Sequence, residues 1–250
     1  LAAHHKHVAT MIHEQNSIVG VSNKMVAKYM DAIVICYEKC FEEFGREKTR
    51  LLGNPRATNA VHAKFDRDYF LSLGLSLHKP LILVVMGSLG STSVNAIMKD
   101  ALPAVSERYQ ILFVTGKNNY EEMRKQIHAP HVKVVDYVKQ LDIMAHVDLI
   151  VCRAGATTAA EITALGTPSI LVPSPYVAHN HQFYNASVLV DHKAAVMLEE
   201  KDLNAEALSN AIDRIMSDDL LRASMHSASL ALGKPNASED ILNWCDEMKR

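Results

Sequence analysis

From Pro80 onward the chain alternates short apolar runs with segments of helical spacing, and few folds accept that pattern. The apolar runs cover residues 81–86, 111–115, 132–135, 149–152, 169–172 and 194–198, and helix candidates fill the gaps at 94–106, 120–127, 141–146, 157–165 and 181–191. The runs are continuously apolar rather than alternating, as strands covered on both faces must be. A helix between successive strands makes a crossover connection, and right-handed crossovers build a parallel sheet. The expected fold class is therefore α/β.

The text before Pro80 is less regular. A strand is expected over 8–12, ending in the polar cluster His13-Glu14-Gln15-Asn16-Ser17, which reads either as a functional loop or as a cap for the next helix. A helix over 22–29, a buried strand over 32–36 and a short helix over 38–44, stopped by Gly45, follow. Gly53-Asn54-Pro55-Arg56 signals a turn, and the mixed stretch from there to Pro80 is where a domain boundary is expected. After 198, helices are expected over 204–216 and 219–232. A last one, over 238–248, has Ile241, Leu242, Trp244, Cys245 and Met248 crowded on its apolar side, which needs a surface to cover it.

Composition narrows the function. A net charge of −2 gives no electrostatic footing for nucleic acid. The four cysteines, Cys36, Cys40, Cys152 and Cys245, lack metal-ligand spacing and read as reduced thiols of a cytosolic protein. No run reaches the roughly 18 apolar residues of a membrane helix and no signal peptide is visible, so any membrane contact is expected to be peripheral. The chain opens at Leu1, in what reads as the end of a helix, and is expected to be part of a longer protein.

Two strand ends carry the candidate chemistry. Gly87-Ser88-Leu89-Gly90-Ser91, between strand and helix, either cradles a diphosphate with backbone N–H groups or makes a plain tight turn. It is neither a Walker A motif nor the full dinucleotide fingerprint. Ala154-Gly155-Ala156-Thr157-Thr158 repeats the logic, with Glu161 in the helix that follows. That carboxylate either meets the helix dipole or accepts both hydroxyls of a ribose. Arg153 is a phosphate ligand or a structural donor to nearby carbonyls. His179-Asn180-His181-Gln182, next to Asn185, suits sugar hydroxyls better than a metal, for which no third ligand is evident. No nucleophile elbow is present. The residues describe a nucleotide-binding α/β protein for a diphosphate-linked ligand, with no metal and no cofactor expected.

The run from Cys152 to Glu161, followed by Gly166-Thr167-Pro168, Leu171-Val172-Pro173 and His181-Gln182 with Asn185-Ala186, resembles the MurG family of bacterial glycosyltransferases. Ile12-His13-Glu14-Gln15-Asn16, Gly53-Asn54-Pro55-Arg56 and Met86-Gly87-Ser88-Leu89-Gly90 fall in the family's order, so the resemblance spans the chain. It implies a GT-B fold of two Rossmann-like domains with parallel sheets, the N-terminal one incomplete. Residues 1–75 would be the remainder of the acceptor-side domain, 76–234 the donor-binding domain, and 235–250 a helix returning to the first. It implies inverting transfer of N-acetylglucosamine from UDP-GlcNAc to lipid I, making lipid II for peptidoglycan at the cytoplasmic face of the membrane, in the service of wall biogenesis, cell shape and division.

Carried over by position, Ser88, Leu89, Gly90 and the amides of Ala154, Gly155, Ala156 and Thr157 resemble the diphosphate-binding loops. Arg56 matches a further donor contact, Glu161 the ribose ligand and Val138 a backbone contact to uracil. His181, Gln182 and Asn185 match the sugar-reading region, and Asn16 a contact from the opposite domain. His13 and Glu14 are candidate catalytic residues near the acceptor, the main base being expected in a segment that precedes Leu1. The family's glycine-rich first loop has no match in this sequence, and the phosphate loop lacks the commoner Gln and Ala. Two alternatives share these features: a donor-binding half of a split transferase, and a UDP-GlcNAc 2-epimerase of the same fold.

Overall fold

A computed structural model describes residues 2–87 and 90–248. The first part holds helix α1 (Ala2–His5), β1 (Met11–Glu14), α2 (Val21–Val26), β2 (Ala32–Ile35), α3 (Phe41–Phe44) and β3 (Thr49–Leu51). Its three strands are parallel, in the order β1-β2-β3, with Ile33 opposite both Ile12 and Thr49. Central β2 is wholly buried, and period-2 geometry divides its side chains between two layers. Ile33 and Ile35 pack with Met30 and Cys40, while Ala32 and Val34 pack with Trp244 from the chain's other end.

Helices α4 (Pro55–His62) and α5 (Arg67–Ser72) lead to the larger sheet. It is built from β4 (Leu81–Val85), α6 (Thr92–Val105), β5 (Gln110–Val114), α7 (Tyr120–Gln126), β6 (Val132–Val135), α8 (Leu141–Met144), β7 (Leu149–Cys152), α9 (Ala156–Leu165), β8 (Ser169–Leu171), α10 (His181–Asp191) and β9 (Ala195–Met197). All six strands are parallel, in the order β6-β5-β4-β7-β8-β9. Ile82, Val84, Phe113 and Val151 face one layer and Leu81, Leu83, Leu112 and Ile150 the other, so both faces are covered, as the apolar runs required. The strand order reverses between β4 and β7, which makes their carboxyl ends a topological switch point.

Helices α11 (Ala205–Met216), α12 (Asp219–Leu232) and α13 (Ala237–Glu247) close the chain. Trp244 of α13 lies against Ala32 and Val34, with Met11 and Leu52 around it. The Arg50 guanidinium sits 4.4 Å above the Trp244 ring and pairs with Glu247 at 2.8 Å. The apolar stripe thus finds its surface on the first sheet. Leu242 departs from expectation: at 64% exposure it is off the stripe set by Ile241, Trp244 and Met248.

Three further differences have local causes. The strand expected over 8–12 begins only at Met11, because α1 ends in a turn with His7 at φ 53° and leaves Val8 exposed. Strand β3 was not expected: its three residues include a charged arginine, and it forms because β2 offers it a ladder edge. Helix α4 falls where the sequence predicts a turn followed by a mixed stretch. Asn54 caps it by accepting from the Arg56 N–H at 3.0 Å, with Pro55 in the first turn, and its buried face is made of alanines rather than a large apolar stripe.

Candidate functional site

At the switch point the loops after β4 and β7 border a cleft of about 890 Å³. Helices α6 and α9 start at its wall, and neither has a side chain capping its first N–H groups. Orphan N–H donors and the positive ends of two helix dipoles therefore face one space, which is an anion site by construction. Arg153 keeps it so. Its guanidinium donates to Ser91 Oγ at 2.9 Å and to the Val172 carbonyl at 3.1 Å, and it pairs with Glu200 at 2.8 Å. Ser91, the residue before α6, thereby has its hydroxyl engaged with Arg153, and Arg153 acts as the structural donor of its two readings. Gly90 sits at φ +74°, where an added Cβ would lie 2.0 Å from the Thr115 carbonyl, so no larger residue fits there. At Gly155 the same atom would meet nothing within 4 Å, because that glycine borders the open cleft.

Glu161, one and a half turns into α9, lines the cleft with its side chain 5% exposed. Burial raises its pKa above the usual carboxylate range, and Arg56 and Gln140 oppose that shift. Arg56 Nε donates to Oε1 at 2.8 Å and the terminal nitrogen pairs with the same oxygen, while Gln140 Nε2 donates to Oε2 at 3.0 Å. Gln140 belongs to the loop after β6 that also carries Val138. That loop is held from outside by α5 and its cap: Lys139 N–H donates to the Tyr69 hydroxyl at 3.1 Å and Asp66 N–H to the Asp142 carbonyl at 3.0 Å.

The cleft gathers Arg56, Gly90, Val138, Gly155, Thr157, Glu161 and Gln182 of the expected site residues. Ser88 and Leu89 lie outside the described residues. The others stand elsewhere, each for a visible reason. Asn185 is fully buried: it accepts from Ser17 N–H at 2.9 Å and donates to Asn16 Oδ1 at 3.1 Å and to the Ala154 carbonyl at 3.2 Å. Asn185 thus joins Asn16 and the Ala154 carbonyl in a junction between the two sheets. Ala156 borders a separate, mostly apolar cavity of about 410 Å³ beside Tyr37, Leu51 and Ala57. The His181 ring is turned to the Ala178 carbonyl, 2.9 Å away.

The two candidate catalytic residues both make protein contacts. Buried Glu14 accepts from Asn16 N–H at 3.0 Å, Gly20 N–H at 2.8 Å and Asn23 Nδ2 at 2.9 Å, so it ties the loop after β1 into shape. His13 contacts Cys36 Sγ at 3.3 Å, and burial lowers its pKa. Neither lines the cleft. Sequence reasoning missed Gln140, Tyr137 and Tyr176 as cleft residues. No motif marks them, and only the anchoring of the β6 loop brings Gln140 to Glu161.

Residues 81–241 match the Glycosyltransferase family 28 C-terminal domain. The chain is 42% identical over 250 residues to a UDP-N-acetylglucosamine--N-acetylmuramyl-(pentapeptide) pyrophosphoryl-undecaprenol N-acetylglucosamine transferase of Limosilactobacillus reuteri subsp. reuteri, a match covering 96% of this chain and 67% of that protein. To the transferase of the same name from Bacillus subtilis it is 38% identical over 249 residues, 97% of this chain and 68% of the relative. The chain therefore spans about two thirds of the length of the curated relatives it matches. Among solved structures, the Acinetobacter baumannii MurG crystal structure superposes with TM-score 0.81 at 23% identity, over 98% of this chain and 69% of that one. The S. aureus MnaA–UDP structure superposes with TM-score 0.72 at 15% identity, over 97% of this chain and 70% of that one. At those identities the likeness shows a shared fold. With the domain match and the identity to the transferases, the chain belongs to the glycosyltransferase family 28 enzymes named UDP-N-acetylglucosamine--N-acetylmuramyl-(pentapeptide) pyrophosphoryl-undecaprenol N-acetylglucosamine transferases.

Proposed function

We propose that this chain carries the donor site of an enzyme that moves N-acetylglucosamine from UDP-GlcNAc to undecaprenyl-diphospho-MurNAc-pentapeptide (lipid I), giving lipid II for peptidoglycan. The observation that carries the reading is the convergence on one cleft of two uncapped helix N-termini and the buried carboxylate of Glu161. The first pair suits a diphosphate and the second a diol. The relatives' names supply the donor and acceptor.

The reaction on this reading is a single displacement with inversion: the acceptor hydroxyl attacks the anomeric carbon as UDP departs. Charge builds on the leaving diphosphate, and backbone N–H donors already aimed at that spot lower the barrier by about 3 kcal/mol each. Of the two candidates for the proton acceptor, Glu14 already accepts three protein hydrogen bonds and His13 contacts Cys36, and neither lines the donor cleft. A polyprenyl acceptor supports work at a membrane surface, and we propose the cytoplasmic face, peripherally attached, as its location. Among the described residues no helix is long and apolar enough to cross a membrane.

Calorimetric titration tests the donor assignment. UDP-GlcNAc is expected to bind more tightly than UDP-glucose, with GDP weakest. Equal binding of GDP, or no heat from folded protein, would overturn it. Co-sedimentation with anionic phospholipid vesicles tests the location; protein that stays wholly in the supernatant at low salt would count against it.

A further inference from the structure

Glu161 has more to do than its surroundings allow at once. A carboxylate offers about four acceptor positions, and three are filled: two by Arg56 on Oε1 and one by Gln140 on Oε2. A cis-diol brings two hydroxyl donors, so one protein partner must leave. Arg56 is the removable one. Its side chain is 42% exposed, so the guanidinium can swing toward solvent while α4 stays packed through Ala57 and Ala60 against Ala160 and Ala164 of α9. Gln140 is the fixed one. It opens α8, its Nε2 also touches Met144 Sδ at 3.4 Å, and the backbone on either side of it is held by Tyr69 and Asp66.

We propose that Gln140 is a positioning residue for ribose recognition: it holds Oε2 of Glu161 in place when Arg56 withdraws, and so presents the carboxylate to the 2′- and 3′-hydroxyls. The assignment rests on the nucleotide-site reading above. It also joins two parts of that site. Val138, two residues before Gln140, shares the short loop between β6 and α8, so one loop both lines the cleft beside the base and holds the carboxylate for the sugar. The chain would then favour ribonucleotides over 2′-deoxyribonucleotides through a residue that need not touch the nucleotide.

The test is titration of the protein with UDP and with 2′-deoxy-UDP. Wild type is expected to prefer UDP. In Gln140→Leu, UDP binding should weaken about tenfold, the worth of one hydrogen bond to a charged group, while 2′-deoxy-UDP binding barely changes and the preference collapses. Gln140→Lys, which keeps a donor within reach of Glu161, should restore the preference. Gln140→Met keeps the length of the side chain but removes the donor, and it should show the same collapse even if the leucine variant fails to fold. Equal weakening toward both nucleotides would assign Gln140 to loop structure alone and overturn the proposal, as would an unchanged preference. Folded wild-type protein that binds neither nucleotide would overturn the nucleotide-site reading itself.

Discussion

Two regions of this molecule look alike in composition and differ in what their polar groups are free to do. The junction around Glu14, Asn16, Ser17 and Asn185 and the cleft around Gly90, Gly155 and Glu161 both lie at carboxyl ends of parallel strands, where ligands bind in this class of fold. In the junction the hydrogen bonds of Glu14 and Asn185 run to other protein groups, across sequence separations as long as 169 residues. In the cleft the first N–H groups of α6 and α9 have no side-chain cap. Polar residues at a strand end therefore do not by themselves mark a site; unspent donors do.

The sharpest way to break this contrast is Asn185→Leu. Removing three buried hydrogen bonds should cost about 4 kcal/mol of stability, measured by urea unfolding. A loss under about 1 kcal/mol would mean that the junction is not structural. Glu14→Ala, which strands three donors at the loop after β1, should cost about 3 kcal/mol in the same experiment. Gly90→Ala is smaller, about 2 kcal/mol, because the new methyl group meets the Thr115 carbonyl at a positive φ. Gly155→Ala marks the opposite behaviour: stability should change by less than about 0.5 kcal/mol while UDP affinity falls, since the methyl group enters the cleft and not the protein. Finally, Glu161→Gln should flatten part of the pH dependence. The folded pKa of Glu161 is raised, so the stability it contributes is present at low pH and lost as pH rises through the folded value. Nucleotide binding should run the other way, strengthening as the carboxylate ionises. Wild-type and variant curves that coincide for both stability and affinity would remove Glu161 from the account.

The same contrast explains what was legible before the structure. Strands β4 to β9 were placed within a residue or two because each is an unbroken apolar run punctuated by glycine, proline or a polar turn. Strand β3 and helix α4 carry no such pattern; one is a three-residue strand with an arginine at its centre, and the other packs through alanines. Among site residues, Gly90 and Gly155 could be read from loop chemistry, and Glu161 from its distance to a helix start. The protein partners of Asn185 and Glu14 could not be read, because which distant loop a polar side chain meets is decided by tertiary pairing. Gln140 had no local signal at all: its importance comes from a single contact with α9, 21 residues further on.

Helix α13 ends the chain against the sheet where it began. The backbone consequently passes from one sheet to the other twice, outward in the stretch after Gly53 and back through Gly233 to Asn236. A single tether between two bodies leaves them free to swivel in every direction. A double tether reserves one easy rotation, about the line through both crossings. Any rotation of the first sheet against the second is then confined to a fixed arc, while Arg56, on a helix packed against α9, stays beside Glu161.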